Sequence, residues 1–263
     1  LLDIILGLLS LMLTNRSFPD EKERCAMMAR YSFASIVLIL LFSLTIGVAQ
    51  EKSVKPGVND SFKNPNLDEW VKKFEGESRE TYQKRKAIVA SCRIEPGMAV
   101  ADIGAGTGLF TRLFSDVVGE KGIVYAVDIS PKFLEHIGNS ATKMKLSNVK
   151  TVLGNDYSVE LLESSVDVVF ICDTYHHFEF PSRMMASIHK ALKPHGRVVL
   201  IDFIRVPGQS SDWVMSHVRA GEDVFEREIT ECGFKRLKKV DDLLKENYLV
   251  VFEKVEPTTP NDK

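Results

Sequence analysis

From residue 98 onward, short apolar runs alternate with longer stretches whose apolar positions recur at helical spacing. The apolar runs predict strands at 98–103, 122–127, 149–153, 166–171 and 197–203. The stretches between them predict helices at 107–118, 131–145 and 182–192. Helical signals also cover 67–74 and 79–92, before a Pro96-Gly97 turn. The chain closes differently, with a helix at 221–232 and two strands, 234–240 and 248–252, joined by a charged stretch. Apolar strands interleaved with helices predict a mostly parallel sheet covered on both faces.

The N-terminal pattern is of another kind. Residues 1–13 are apolar apart from Asp3, and residues 14–30 are polar and charged. Residues 31–49 then run without a charge, long enough to span a membrane as a helix. The same run reads equally as a signal peptide, with Arg30 as its basic flank and Gly47-Val48-Ala49 as a small-residue cleavage site. Met27-Met28-Ala29-Arg30 would open such a peptide directly. Basic residues lie on both sides of the run, so they orient no anchor. The expected organisation is a leader, signal peptide or transmembrane anchor, at 1–49, a Pro/Gly/Asn-containing linker at 50–66, a catalytic domain at 67–254 and a polar tail at 255–263. The leader implies an exported, periplasmic or membrane-anchored location, with a cytoplasm-facing domain as the alternative, and membrane association through residues 31–49.

Composition narrows the function classes. With 34 Lys plus Arg against 36 Asp plus Glu, the net charge is -2, and no basic excess points to nucleic acid. The three cysteines beyond the leader, Cys92, Cys172 and Cys232, are odd in number and widely spaced, which fits neither a disulfide framework nor a zinc pattern.

The candidate chemistry starts at the end of the first body strand. Asp102-Ile103-Gly104-Ala105-Gly106-Thr107-Gly108 stands between that strand and a helix, where glycines permit a tight turn and close approach of a ligand. The dinucleotide fingerprint G-x-G-x-x-G is broken, because its last position, counted from Gly104, is Leu109. An acid precedes the glycines, which would repel a pyrophosphate. The second strand ends in Asp128-Ile129, and a carboxylate there can accept hydrogen bonds from ribose hydroxyls. An adenosine-type ligand at the carboxyl edge of the sheet is expected.

These segments together resemble the class I S-adenosylmethionine (SAM) methyltransferases. The run 100–108 resembles the family's first motif, Asp128 its ribose-binding acid, and Gly154-Asn155-Asp156 its adenine-contacting segment. The run 166–173 resembles the fourth motif, and Leu192-Lys193-Pro194-His195-Gly196-Arg197 the turn usually written L-K-P-G-G-x, with His195 in place of the first Gly. The resemblance implies a doubly wound, Rossmann-like, seven-stranded sheet, mostly parallel with an antiparallel last strand. It implies SAM as cofactor. Gly104, Gly106 and Gly108, with Ala105 and Thr107 between them, would line its methionine part, and Asp102 would hold the loop. Asp128 would hold the ribose, Ile129 would pack on adenine, and Asp156 beside Asn155 would accept from the adenine amino group.

The fourth strand runs into Asp173-Thr174-Tyr175-His176-His177 at the edge that faces the ligand. His176 or His177 is the candidate general base or acceptor positioner, with Asp173 orienting the site and also counted on the cofactor side; a packing role for each His is the alternative. A His-His pair is too little for a metal site, so no metal is expected. Arg79 is a candidate partner for the cofactor carboxylate, and the polar stretch 207–218, with Trp213 and His217, is a candidate lid. The expected function is SAM-dependent methyl transfer to a small, including a lipophilic, molecule. The alternatives are a non-catalytic SAM- or nucleoside-binding module and, against the broken fingerprint, a nicotinamide-dependent oxidoreductase.

Overall fold

The computed structural model describes residues 52–255. Seven strands form one sheet in the order β3-β2-β1-β4-β5-β7-β6. They are β1 (Ala99–Ile103), β2 (Ile123–Asp128), β3 (Val149–Leu153), β4 (Val166–Cys172), β5 (Leu192–Phe203), β6 (Phe234–Lys239) and β7 (Asn247–Lys254). β1 to β5 pair in parallel, and β7 lies antiparallel between β5 and β6. The helices are α1 (Leu67–Phe74), α2 (Glu80–Gln83), α3 (Arg85–Ser91), α4 (Leu109–Val118), α5 (Pro131–Met144), α6 (Pro181–Ala191), α7 (Asp212–His217) and α8 (Glu222–Glu231). This is a Rossmann-like, mostly parallel sheet with an antiparallel terminal strand, as the alternating pattern predicts.

Side chains alternate across each central strand, and both faces are buried. Ala101, Ile103, Val169, Ile171, Val198, Leu200, Val250 and Phe252 pack on one face with Met185 and Ile188 of α6 and Phe225 and Ile229 of α8. Val100, Val168, Phe170, Val199, Ile201, Leu249 and Val251 pack on the other with Ile88 of α3 and Phe110 and Phe114 of α4. The near-continuous apolar character of β4 and β5 follows from this two-sided cover.

Three local details differ from the expected elements. The helix expected over 79–92 is two pieces, α2 and α3, interrupted at Lys84. The expected 193–196 turn is a bulge inside a longer β5: Val166 pairs with Leu192 but Val168 pairs with Arg197, so the residues between loop out. His195 sits there with φ +60, the left-handed conformation that makes glycine usual at this place. Part of the polar 207–218 stretch is helical (α7), started by Ser211, whose hydroxyl accepts from the Val214 N–H.

The signal peptide, the transmembrane helix, the membrane association and the exported or membrane-anchored location expected from residues 1–49 are corrected here. Among the described residues no helix is long and apolar enough to cross a membrane. The run 31–49, on which those expectations rested, lies outside the described residues, as do residues 256–263.

Candidate active site

The strand ends of β1, β2 and β4 open onto a cavity of about 690 Å³, well within the usual range for small-molecule sites. Asp102, Gly104, Ala105, Gly106, Thr107, Asp128, Ile129, Asn155, Asp156, Asp173, His176 and His177 all line it. Gly108 does not. Its φ is +78 and an added Cβ would stand 2.8 Å from Ile137 Cγ1, so it serves the close packing of α4 against α5.

The glycine loop is held from within. Val127 C=O accepts from the N–H groups of Gly104 (2.8 Å) and Ala105 (3.1 Å), and Ala105 C=O accepts from Gly108 N–H (2.8 Å). Gly106 N–H donates to Asp128 Oδ2 (2.9 Å). The N–H groups of Gly104, Ala105, Gly106 and Gly108 are thus engaged within the protein, which leaves fewer donors for a pyrophosphate. At Gly104, φ is +69 and a Cβ would stand 2.3 Å from Thr174 Cγ2. Only glycine lets the loop lie this close to the end of β4.

The two acids differ in their surroundings. Asp102 is buried and accepts from Thr111 Oγ1 at 2.6 Å, so it fixes the start of α4. Asp128 accepts from Gly106 N–H through one oxygen and from Ser130 N–H (2.8 Å) through the other. Each carboxylate oxygen keeps further lone-pair capacity for ribose hydroxyls. Burial raises both carboxyls to about 6, and in Asp128 the backbone donors partly oppose that rise. Asn155 shapes its own turn, accepting from Tyr157 N–H (2.9 Å) and donating to Glu160 (2.9 Å), while Asp156 faces the cavity. This cradle fits SAM: acids for its hydroxyls and amino groups, and glycines for close approach.

Asp173 has a left-handed φ of +51 at the exit from β4. Its two oxygens accept from Arg79 Nη2 and Asn247 Nδ2, both at 2.6 Å. Burial pushes its carboxyl up, against the pull of the Arg79 guanidinium. Arg79 also donates to Phe74 C=O (3.3 Å) and lies over the Phe74 ring. The structure therefore pairs Arg79 with Asp173, a protein carboxylate, where the sequence suggested a cofactor carboxylate.

The histidines gather beyond Asp173. His176 is buried, and its Nδ1 meets Asp202 Oδ1 at 2.8 Å, with the His176 N–H on Asp202 Oδ2 at 3.2 Å. His217, on α7, brings its Nε2 to 3.3 Å from His177 Nε2. Burial first, then the neighbouring imidazoles and Lys55, hold His177 down at about 2; burial, His176 and Lys55 hold His217 at about 4.

Aromatic rings complete the wall: Phe62, Trp70 and Phe74 contact in series at 4.8 Å, Phe62 meets His177 edge-on at 5.0 Å, and Trp213 stacks on His217 at 4.6 Å. Residues 53–59 strap this side: Asn59 Nδ2 donates to His177 C=O (3.1 Å), Ser53 Oγ to Glu179 (2.7 Å), and Lys55 Nζ to His217 C=O. Phe62, Trp70, Phe74, Asp202 and Asn247 escaped the sequence reasoning. Asp202 alone carried a signal, a lone acid inside the apolar run 198–203.

Similarity to known proteins agrees with this geometry. Residues 101–200 match a family model described as a methyltransferase domain. Over 121 residues it is 30% identical to the ubiquinone/menaquinone biosynthesis C-methyltransferase UbiE of Shewanella piezotolerans, covering 45% of this chain and 48% of that one. The same-named protein of Shewanella putrefaciens is 30% identical over 124 residues, covering 46% and 49%. The chain thus spans about half the length of the curated relatives it matches. A SAM-dependent methyltransferase from Aquifex aeolicus shares the fold with a TM-score of 0.64 at 23% identity, over 73% of this chain and 100% of that one. So does the cyclase SpnF, with a TM-score of 0.57 at 12% identity over 66% and 82%. The fold does not by itself fix the reaction.

Proposed function

We propose that this protein transfers the methyl group of SAM to a small, apolar or aromatic acceptor. The observation that carries the reading is that one cavity combines two kinds of lining. The glycine loop, Asp128 and Asp156 line it together with Phe62, Trp70, Phe203, Trp213 and the imidazoles of His176, His177 and His217. SAM, when bound, supplies a methyl already activated on a sulfonium sulfur. What the chain must add is alignment of an acceptor within reach and exclusion of water.

The residues divide that work. Asp128 accepts from the ribose hydroxyls, and Asp156 from the adenine amino group, with Ile129 against the ring. Gly104 and Gly106 let the methionine part lie on the backbone, and Asp102 and Thr111 keep the loop in place. Asp173, fixed by Arg79 and Asn247, braces the turn that carries His176 and His177. At about 2, His177 is too weak a base for proton removal near neutrality. We therefore assign His177 to positioning the acceptor, and keep His176, oriented by Asp202, as base or positioner. The aromatic wall favours a ring-bearing acceptor, and the C-methylation in ubiquinone/menaquinone biosynthesis named for the Shewanella relatives is a model for its class. The domain limits of 67–254 remain part of this proposal, although Asn59 and Phe62 also line the cavity.

The test is single-turnover transfer of labelled methyl from SAM to a panel of phenolic and quinol acceptors by the full chain. Label in an acceptor, reduced at least about tenfold in His176→Ala while SAM affinity holds, is the expected result. SAM binding with no transfer to any acceptor or to cell extract would favour the non-catalytic binding module.

A further inference from the structure

The three imidazoles at the acceptor end form a constellation that methyl transfer does not require. His176 and His177 come from the turn after β4, and His217 comes from α7, forty residues later. One ring nitrogen of each lies within 4.8 Å of those of the other two. His177 Nε2 and His217 Nε2 are 3.3 Å apart. A tetrahedral zinc ion with Zn–N bonds of about 2.0–2.1 Å sets two of its ligand nitrogens roughly 3.3–3.4 Å apart. The pair already stands at that separation.

The surroundings are those of a built site. His176 Nδ1 is held by the buried Asp202 carboxylate at 2.8 Å, which leaves Nε2 as its ligating atom. A carboxylate behind a ligating histidine fixes tautomer and ring direction in metal sites. His217 is steadied by the stacked Trp213 ring, and the backbone of His177 by Asn59. The Lys55 ammonium donates to the carbonyls of Ser216 and His217. All three histidines line the cavity. Three protein ligands with the remaining position open to a cavity is the arrangement of zinc sites that bind a further ligand.

We propose that His176, His177 and His217 bind one divalent transition-metal ion of the zinc type, with its open position facing the acceptor end of the cavity. Three neutral nitrogen ligands suit zinc, and also cobalt(II) as a spectroscopic substitute. An acceptor with an oxygen or sulfur donor would fill the open position, so the ion would fix the acceptor's orientation. That last role rests on the methyl-transfer reading; the binding of the ion does not.

The test is calorimetric titration of zinc into the metal-free full chain, without SAM, together with the visible spectrum of the cobalt(II) form. One ion per chain with micromolar or tighter affinity, and an intense tetrahedral cobalt band, is the expected result. His217→Ala, on a half-exposed helix, and His177→Ala should abolish both signals while thermal melting confirms the fold. Asp202→Asn should weaken binding by about 10- to 100-fold. Absence of saturable binding by the wild type would overturn the site, as would binding that survives in both histidine variants. SAM binding measured separately on the same preparation keeps this outcome distinct from failure of the methyl-transfer reading.

Discussion

Gly104 shows how much a single position in this site constrains. Its φ of +69 disfavours any side chain, and a Cβ would stand 2.3 Å from Thr174. Gly104→Ala should therefore weaken SAM binding by at least about tenfold, read by calorimetry. Adding Thr174→Ala should recover part of it by removing both Cγ2 and Oγ1, which would stand 2.3 and 2.5 Å from the new Cβ. Asp128 makes a pH prediction. Its folded carboxyl, raised to about 6 from an ordinary 3.8, holds a proton that the unfolded chain has already released between those values. Asp128 therefore costs stability as pH rises from about 4 to about 6, and Asp102 acts in the same direction. Hydrogen bonds from ribose are stronger to the ionised form, so SAM affinity should fall as pH drops below about 6, and binding near pH 6 should release protons. A flat affinity between pH 5 and 7.5 would contradict that assignment. Both residues were legible in the sequence, because a strand-end acid and a glycine run at this spacing are local patterns. Asp173 was legible as a site residue but its partners were not: Arg79 and Asn247 lie 94 and 74 positions away, and pairing at that range is set by the fold.

At the scale of elements, the strands were readable because burial on both faces leaves apolar runs with turn residues between them. What escaped is short or irregular. The turn Tyr175–His177 is a single 3-10 turn, and α7 has too few residues to show a periodicity. The bulge in β5 gives a stability prediction. His195 at φ +60 is an exposed side chain in a conformation that glycine adopts freely. Its contact with Glu253 is loose, at 3.5 Å. His195→Gly should stabilise the protein by about 0.5–1 kcal/mol, raising the melting temperature by a few degrees. The brace after β4 should behave oppositely. Asp173→Ala leaves Arg79 facing a lost partner, and removal of one member of a buried pair costs about 3–5 kcal/mol. With Arg79 side-chain exposure at 22%, the lower end is expected in urea unfolding.

On the scale of the whole molecule, the sheet order puts β1 beside both β2 and β4, so the glycine loop, Asp128 and the histidine turn converge although they are far apart in sequence. The cofactor end was visible beforehand because its motifs follow one another along the chain. The acceptor end was visible only in part, since its wall combines residues from 59–74, 176–179, 203 and 213–217. The near-neutral charge agrees with a small acceptor. The most direct measurement is calorimetric titration of SAM into the full chain and its Asp128→Ala variant at pH 7.5. The expected result is saturable binding of one SAM per chain, lost or weakened at least about a hundredfold in the variant. No SAM binding by the folded wild-type protein would contradict it.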